Sequence, residues 1–182
     1  AMAMKHLGKT IDIHTGGVDH IAVHHENELA QTQGAEGVLE ANVWMHSEFL
    51  TVENGKMSKS LGNLYTIDDL IQKGYDPLAF RYFVLGAHYR SKINFTFEAL
   101  DAAQNALVKL REMVREWDEP DVGCADLEEK FFTVMNDDLS TPQALAIMWE
   151  LVNADLPSSA KAESLLRMDQ VLGLRLKEYV AR

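Results

Sequence analysis

The chain has 182 residues, 47% of them hydrophobic and 25% charged, a composition that supports a packed core and excludes a wholly disordered chain. Its net charge of −11 argues against a domain that binds RNA through its own electrostatics. A single cysteine, Cys124, excludes an intrachain disulfide framework, and no apolar run approaches the roughly 18–20 residues of a membrane span, so we expect a cytoplasmic protein without membrane contact.

The first third of the chain alternates strand and helix patterns. The segment that begins at His24 has helical spacing and is predicted to stop at Gly34. Asn54-Gly55 is a turn signal, because both residues tolerate positive φ. In chain order the predicted elements are a strand at 11–14, a glycine turn at 16–17, a helix at 24–33, strands at 43–46 and 49–52, and a turn at 53–55.

Beyond residue 65 the patterns are helical. Thr66 and Asp69 predict a capped helix that ends at Gly74, and Asp76-Pro77 predicts the start of a second helix. The fold class is therefore α/β first and all-α afterwards. The remaining predicted elements are helices at 97–117, 127–135, 142–152 and 159–172, a linker at 118–123, and a cap for the third of these helices at Ser140-Thr141-Pro142.

Two lysines follow the predicted turn, in the segment Lys56-Met57-Ser58-Lys59-Ser60. Two compact positive charges on one loop suit the negative charge of a triphosphate attacked at its α-phosphorus, and a loop can close after ATP binds. Spacing alone leaves an ordinary solvated lysine loop as an equal alternative.

A histidine-rich segment, His24-His25-Glu26-Asn27-Glu28, is a candidate metal site. His24 and Glu28 are four residues apart and share one face of a helix, where an imidazole and a carboxylate can bind the same Zn²⁺. By the pattern alone, a solvated pair on an exposed helix is the commoner outcome.

The segment from Asp12 to Asp19 combines a strand, two glycines and an acid. Nucleotides bind at the carboxyl ends of parallel strands, where glycines allow close backbone approach and the Asp19 carboxylate could accept ribose hydroxyls. An ordinary turn from strand to helix is the alternative.

These motifs together resemble one family. Lys56–Ser60 matches, letter for letter, the KMSKS signature of class I aminoacyl-tRNA synthetases. Its flanks, Trp44–Ser47 and Leu61–Asn63, are similar to those of the cysteinyl enzymes, and His24–Glu28 matches their motif residue for residue. The sequence resembles the cysteinyl-tRNA synthetase family over nearly its whole length.

The resemblance implies a role for each motif. It makes Lys56 and Lys59 catalytic residues, with Lys59 in contact with ATP. It places His14, Gly17 and Asp19 along the aminoacyl-adenylate, with His14 near the amino acid and the other two near the ribose.

The resemblance also implies a zinc ion held by His24 and Glu28, which binds the thiolate of substrate cysteine. The family's other two ligands are cysteines expected upstream of Ala1, and Cys124 matches neither. Because structural zinc takes four protein ligands and catalytic zinc three, we expect the chain alone to bind zinc weakly or not at all.

The implied architecture starts with the C-terminal part of a Rossmann-like nucleotide-binding domain at 1–52. The KMSKS loop and stem-contact helices would follow at 53–117, and a helical bundle domain at 118–182. The family's early His-x-Gly-His-type signature is expected before Ala1 and its anticodon-binding domain after Arg182. Candidates for phosphate contact to the tRNA stem are Arg81, His88, Arg90 and Lys92, each of which could instead be a surface charge or an internal hydrogen-bond donor.

The implied reaction is activation of cysteine by ATP, with Mg²⁺, and transfer of cysteine to tRNA(Cys). The chain alone is expected to be inactive and not to bind tRNA strongly. Two alternatives stay open: a related ligase that joins cysteine to an amino-sugar in thiol biosynthesis, and a non-catalytic interaction module. The full match at Glu26–Glu28 and Trp44–Ser47 favours the tRNA enzyme over the amino-sugar ligase.

Overall fold

A computed structural model describes residues 2–53, 55, 57 and 62–182. Its strands are β1 (Ile11–Gly17), β2 (Ala41–Ser47), β3 (Leu50–Val52) and β4 (Ile93–Phe95). Its helices are α1 (Met2–Leu7), α2 (Glu26–Glu36), α3 (Ile67–Gln72), α4 (Pro77–Leu85), α5 (Phe97–Arg115), α6 (Ala125–Asn136), α7 (Thr141–Asn153) and α8 (Ser158–Leu172). A 3₁₀ turn, Val18–His20, and a π-helical turn, Ile21–His25, lead from β1 into α2, and a second 3₁₀ turn covers Leu176–Glu178.

The order of the elements agrees with the expected class. Strands and helices alternate up to β4, and the described chain from Phe97 to its end has helices only. β1 pairs with β2 in parallel, and β3 pairs with β4. The sequence patterns did not predict α1 or β4, which are only six and three residues long.

Local capping signals place two helix starts as predicted. The Thr66 hydroxyl accepts the Asp69 N–H at 3.2 Å, and the Asp69 carboxylate accepts the Thr66 N–H at 2.8 Å, a reciprocal capping box at α3. Asp76 accepts the Leu78 N–H at 2.8 Å at the start of α4, next to Pro77. Side chains satisfy the first free N–H groups of both helices.

One predicted helix end is wrong, and one predicted cap is confirmed in position only. α2 continues through Gly34 and ends against Gly37, which has φ +70° and donates its N–H to the Gln33 carbonyl. A glycine inside a helix costs only about 1 kcal/mol of stability relative to alanine, so α2 can continue through Gly34. A glycine in the left-handed conformation is the usual residue at a helix end, so α2 stops at Gly37. Ser140 occupies the N-cap position of α7, but its side chain makes no capping hydrogen bond.

The described residues divide into two compact units. The first, here called the sheet unit, comprises Ala1–Leu50 with Tyr89–Ile93. Its paired strands bury Ile11 opposite Ala41. The Ile11 N–H donates to the Glu40 carbonyl at 2.8 Å, which extends the strand pairing by one bond.

The second unit, here called the helical unit, comprises Thr51–His88 with Asn94–Arg182. Its apolar core is built from the inward faces of α5 to α8, with further packing from α4. The largest fully buried side chains include Leu107, Leu110, Phe131, Met148, Leu151, Leu165, Met168 and Leu172. None of the helices in the described part of the chain is long and apolar enough to cross a membrane.

Candidate functional site

Five histidines converge in the sheet unit around the carboxyl ends of β1 and β2. His14 lies on β1 and His46 on β2, and the parallel register sets Gly16 opposite His46. The turns after β1 carry the other three, His20, His24 and His25. The parallel pairing therefore brings together side chains that are distant in sequence.

The carboxylate of Glu28, in the first turn of α2, is the centre of this cluster. One of its oxygens, Oε2, lies 3.0 Å from His14 Nε2 and 4.0 Å from His25 Nε2. The other, Oε1, lies 3.4 Å from His24 Nε2. Imidazole nitrogens and carboxylate oxygens are both zinc donors, so the site has the donor types that a zinc ion takes.

His25 is the buried member of the cluster, with 4% of its surface exposed. Its Nδ1 lies 2.8 Å from His46 Nε2, and its ring packs against Trp44 with centroids 4.9 Å apart. Burial lowers the pKa of His25, and the nearby imidazoles of His14 and His46 lower it further. The lowered pKa favours the neutral form of His25, in which an imidazole nitrogen can accept a hydrogen bond or bind a metal.

Crowding, and not a turn, explains the glycine at position 16 of β1, whereas the atom that crowds Gly17 belongs to the exposed side chain of Asp19. Both lie within the strand, so the predicted glycine turn at 16–17 is wrong. A Cβ atom on Gly16 would lie 2.6 Å from His25 Cε1 and 2.9 Å from His20 Nδ1. A Cβ atom on Gly17 would overlap the carboxylate of Asp19. Absence of a side chain lets the histidines and the acid approach the strand.

The predicted site residues fall into three groups. His14, His24 and Glu28 come together, as the distances above show. Gly17 and Asp19 lie against each other, and Asp19 is 4.0 Å from His20 at a half-exposed position. The predicted catalytic residues Lys56 and Lys59 lie outside the described residues.

The sequence patterns missed three members of the cluster: His20, His25 and His46. His25 is adjacent to His24 in the same motif. Helical spacing pairs only His24 with Glu28 and does not single out His25. His46 lies in a predicted strand and is brought to His25 by the register of β1 and β2. The register sets His46 opposite Gly16, and the π-helical turn that brings His25 beside Gly16 completes the contact.

Arg81 and His88, both candidates for phosphate contact, have internal partners in the helical unit. Arg81 Nε donates to the Leu172 carbonyl at 2.5 Å, at the end of α8. His88 Nε2 lies 2.8 Å from the Asp138 carbonyl oxygen. For Arg81 and His88 the structure therefore has the internal hydrogen bond that the sequence left open as an alternative to phosphate contact.

Comparison with known proteins places this site in a family. Residues 1–105, which include the whole histidine cluster, match the family described as tRNA synthetases class I (C) catalytic domain. The chain belongs to this family. The match confirms the predicted resemblance to the cysteinyl-tRNA synthetases.

Individual curated proteins that are similar to this chain agree with the family assignment. The chain is 50% identical over 182 residues to "Cysteine--tRNA ligase 1" of Burkholderia lata, covering 98% of the chain and 38% of the relative. It is 47% identical over 176 residues to "Cysteine--tRNA ligase" of Opitutus terrae, covering 97% of the chain and 38% of the relative. The chain thus spans about two fifths of the length of these relatives and is similar to one part of them.

A solved structure shares the fold at low identity. The agnB2 LeuRS of Agrobacterium radiobacter K84, in a ternary complex with tRNA and LeuAMS, matches with a TM-score of 0.69 at 17% identity. The match covers 93% of this chain and 26% of the LeuRS chain. At this identity the likeness is one of fold alone.

Proposed function

We propose that the chain is part of a cysteine–tRNA ligase, which activates cysteine with ATP and Mg²⁺ and transfers it to tRNA(Cys). The observation that carries this proposal is the convergence of His14, His24 and Glu28 at the end of β1, within the segment that matches the family. The names of the curated relatives support cysteine as the amino acid.

The proposed roles follow the position of each residue. His14 would contact the amino acid, and Gly17 and Asp19 would line the ribose of the adenylate, where the missing Cβ of Gly17 leaves the strand backbone accessible. Lys56 and Lys59 would stabilise the negative charge that develops on the triphosphate during activation. The residues of β1 are held by their parallel pairing with β2, which gives them a rigid support.

His24 and Glu28 fit two positions of a zinc site. They supply one imidazole nitrogen and one carboxylate oxygen, 3.4 Å apart, from adjacent turns of helix. Zinc bound there would select the thiolate of cysteine over the hydroxyl of serine, because sulfur is the softer ligand. The two residues would supply half of a four-ligand set, with cysteines elsewhere in the enzyme completing it.

The proposed architecture places residues 1–52 in a Rossmann-like nucleotide-binding domain, 53–117 in the signature loop and stem-contact helices, and 118–182 in a helical bundle. The parallel β1–β2 pair is compatible with such a domain, whose ligands bind at the carboxyl ends of the strands. We also propose that the intact enzyme is cytoplasmic. We propose further that it binds tRNA, which is present in the LeuRS complex whose fold this chain shares.

Aminoacylation by a hybrid enzyme tests this proposal. The chain would replace the matching part of the Burkholderia lata ligase, and cysteine transfer to tRNA(Cys) and to an amino-sugar acceptor would be measured side by side. We expect charging of tRNA, with loss of charging in a hybrid that also carries Glu28→Gln. Ligation to the amino-sugar alone would identify the thiol-biosynthesis ligase. Failure of both reactions, while the unmodified relative is active, would favour the non-catalytic interaction module.

A further inference from the structure

We propose that Tyr65 is a positioning residue for the KMSKS signature, because its ring packs on Phe95 and Phe97 and fixes the chain where it leaves the signature. The inference rests on the proposed function, which gives Lys59 its catalytic role. It adds to that function a residue that lies outside the signature. Lys59 lies outside the described residues, and the contacts that carry the inference are those of the described chain on either side of it.

The chain that enters the signature is tied to β4. The Glu53 N–H, one residue past the end of β3, donates to the Phe95 carbonyl at 3.0 Å. Val52 and Gly55 exchange two backbone hydrogen bonds, 3.0 Å and 2.8 Å long, immediately before Lys56. Backbone hydrogen bonds to a paired strand restrain this side of the signature.

The chain that leaves the signature returns to the same strand. The Tyr65 ring lies against the Phe95 ring, with centroids 6.0 Å apart, and meets the Phe97 ring edge-on at 5.1 Å. Phe95 has only 3% of its surface exposed and also contacts Phe80 and Phe83 of α4, so it is a fixed support. Edge-on and offset aromatic pairs stabilise beyond the area that they bury, so these contacts hold Tyr65 in place.

Phe95 therefore holds both sides of the signature through different groups. Its backbone carbonyl accepts the Glu53 N–H, and its side chain packs on Tyr65. Fixing the two ends of a segment lowers the conformational entropy that is lost when its side chains are brought to a ligand. Lys59 acts on the transition state under the proposed function, so release of one end should lower the rate of activation more than it weakens ATP binding.

ATP–pyrophosphate exchange by the hybrid with the Burkholderia lata ligase tests the proposal, with Tyr65→Leu set against Tyr75→Leu. Tyr75 also contacts the Phe97 ring, with centroids 6.0 Å apart, and its hydroxyl donates to Asp101 at 2.6 Å. Tyr75→Leu is the matched control, because it removes a second aromatic contact of Phe97 and a hydrogen bond as well. Tyr65→Phe keeps the ring and should rescue the defect.

We expect kcat for exchange to fall at least about tenfold in Tyr65→Leu, with the KM for ATP changed less than about threefold. Tyr65→Phe and Tyr75→Leu should stay within about threefold of the original in both constants. Each variant would also be combined with Lys59→Ala. In that background Tyr65→Leu should lower the residual exchange less than about threefold, because its effect acts through the lysine.

Trypsin cleavage of the hybrid after Lys56 and Lys59 gives a second readout that needs no activity. We expect initial cleavage at least about threefold faster in Tyr65→Leu and unchanged in Tyr75→Leu, because only the first releases an end of the segment. Equal cleavage in the two variants, or an unchanged kcat in Tyr65→Leu, would overturn the proposal.

The double variant separates positioning from a general loss of stability. A full tenfold loss caused by Tyr65→Leu in the Lys59→Ala background would overturn the proposal, because Tyr65 would then act independently of the lysine. Absence of exchange by the unmodified hybrid would instead overturn the proposed function and with it the positioning role of Tyr65. The cleavage rates would still show whether Tyr65 fixes the segment, so the two failures are distinguishable.

Discussion

His14 Nε2 lies 3.0 Å from the Glu28 carboxylate, although fourteen residues separate them in the chain. The 3₁₀ and π-helical turns between β1 and α2 make this contact, because they reverse the chain within eight residues and direct the first turn of α2 toward the strand. A π-helical turn is rare and is often found at functional sites. Here it places His24, His25 and Glu28 beside His14.

The histidine cluster depends on the missing side chain of Gly16. We expect Gly16→Ala to destabilise the sheet unit by about 1–3 kcal/mol, because the added Cβ would lie 2.6 Å from the buried His25 ring. Hydrogen exchange in β1 and β2 measures this, since each 1.4 kcal/mol lowers protection about tenfold. Gly34→Ala is the matched control: its Cβ would meet nothing within 4 Å, and alanine inside α2 should be neutral or stabilise by up to about 1 kcal/mol. Equal protection in the two variants would contradict the crowding at Gly16.

Arg81 holds the end of α8 through a hydrogen bond. Its Nε donates to the Leu172 carbonyl, one of the last acceptors of that helix, and its guanidinium fills the space beside Gly173. We expect Arg81→Ala to lower the free energy of unfolding of the helical unit by about 1 kcal/mol, which is below the range for a hydrogen bond from a charged donor because the residue is partly exposed. Urea denaturation measures the change.

Lys92, another candidate for phosphate contact, provides the comparison for Arg81. It is exposed, so Lys92→Ala should leave stability within about 0.5 kcal/mol of the original. If Arg81→Ala is as stable as Lys92→Ala and only RNA affinity falls, the structural role of Arg81 is wrong.

Asp76 links the stability of the helical unit to pH. Burial alone would raise the pKa of Asp76, but hydrogen bonds from Arg111 and from the Leu78 N–H outweigh it and hold the pKa below its usual value of 3.8. The ionised form is therefore favoured in the folded state. Its contribution is complete above the usual pKa and is lost as the pH falls through the lower, folded-state pKa.

The expected result is a fall in unfolding free energy below about pH 4 that is smaller in Asp76→Asn. Urea denaturation at a series of pH values between about 2 and 6 measures it. Glu112→Gln, an exposed change on the same helix as Arg111, is the control and should keep the original pH dependence. If the unfolding free energy of Asp76→Asn falls with pH in parallel with that of the unchanged chain, the Asp76–Arg111 pair does not contribute to the pH dependence of stability.

What the sequence predicted correctly is mostly local. The Thr66–Asp69 capping box and the Asp76-Pro77 helix start are encoded within three or four residues, and both occur as expected. The end of α2 was misplaced because Gly34 and Gly37 are both plausible stops, and only the left-handed φ of Gly37 distinguishes them.

The site was only partly predictable for a different reason. His24 and Glu28 are related by helical spacing and could be paired from the sequence. His25, in the π-helical turn, meets His46 only because the strand register sets His46 opposite Gly16 and the turn brings His25 beside that glycine. The same pairing explains Gly16, whose role is to leave room for the His25 ring and not to form a turn. Contacts between distant segments need the fold, and the sequence patterns described each segment alone.

Cysteine-dependent ATP–pyrophosphate exchange tests the central claim most directly, because it measures activation without tRNA. It would be measured for the chain alone and for the hybrid with the Burkholderia lata ligase, both supplied with Zn²⁺ and Mg²⁺. The account predicts no exchange by the chain alone, exchange by the hybrid, and loss of that exchange in a hybrid carrying Lys59→Ala. Robust exchange by the chain alone, or none by a folded hybrid, would contradict it.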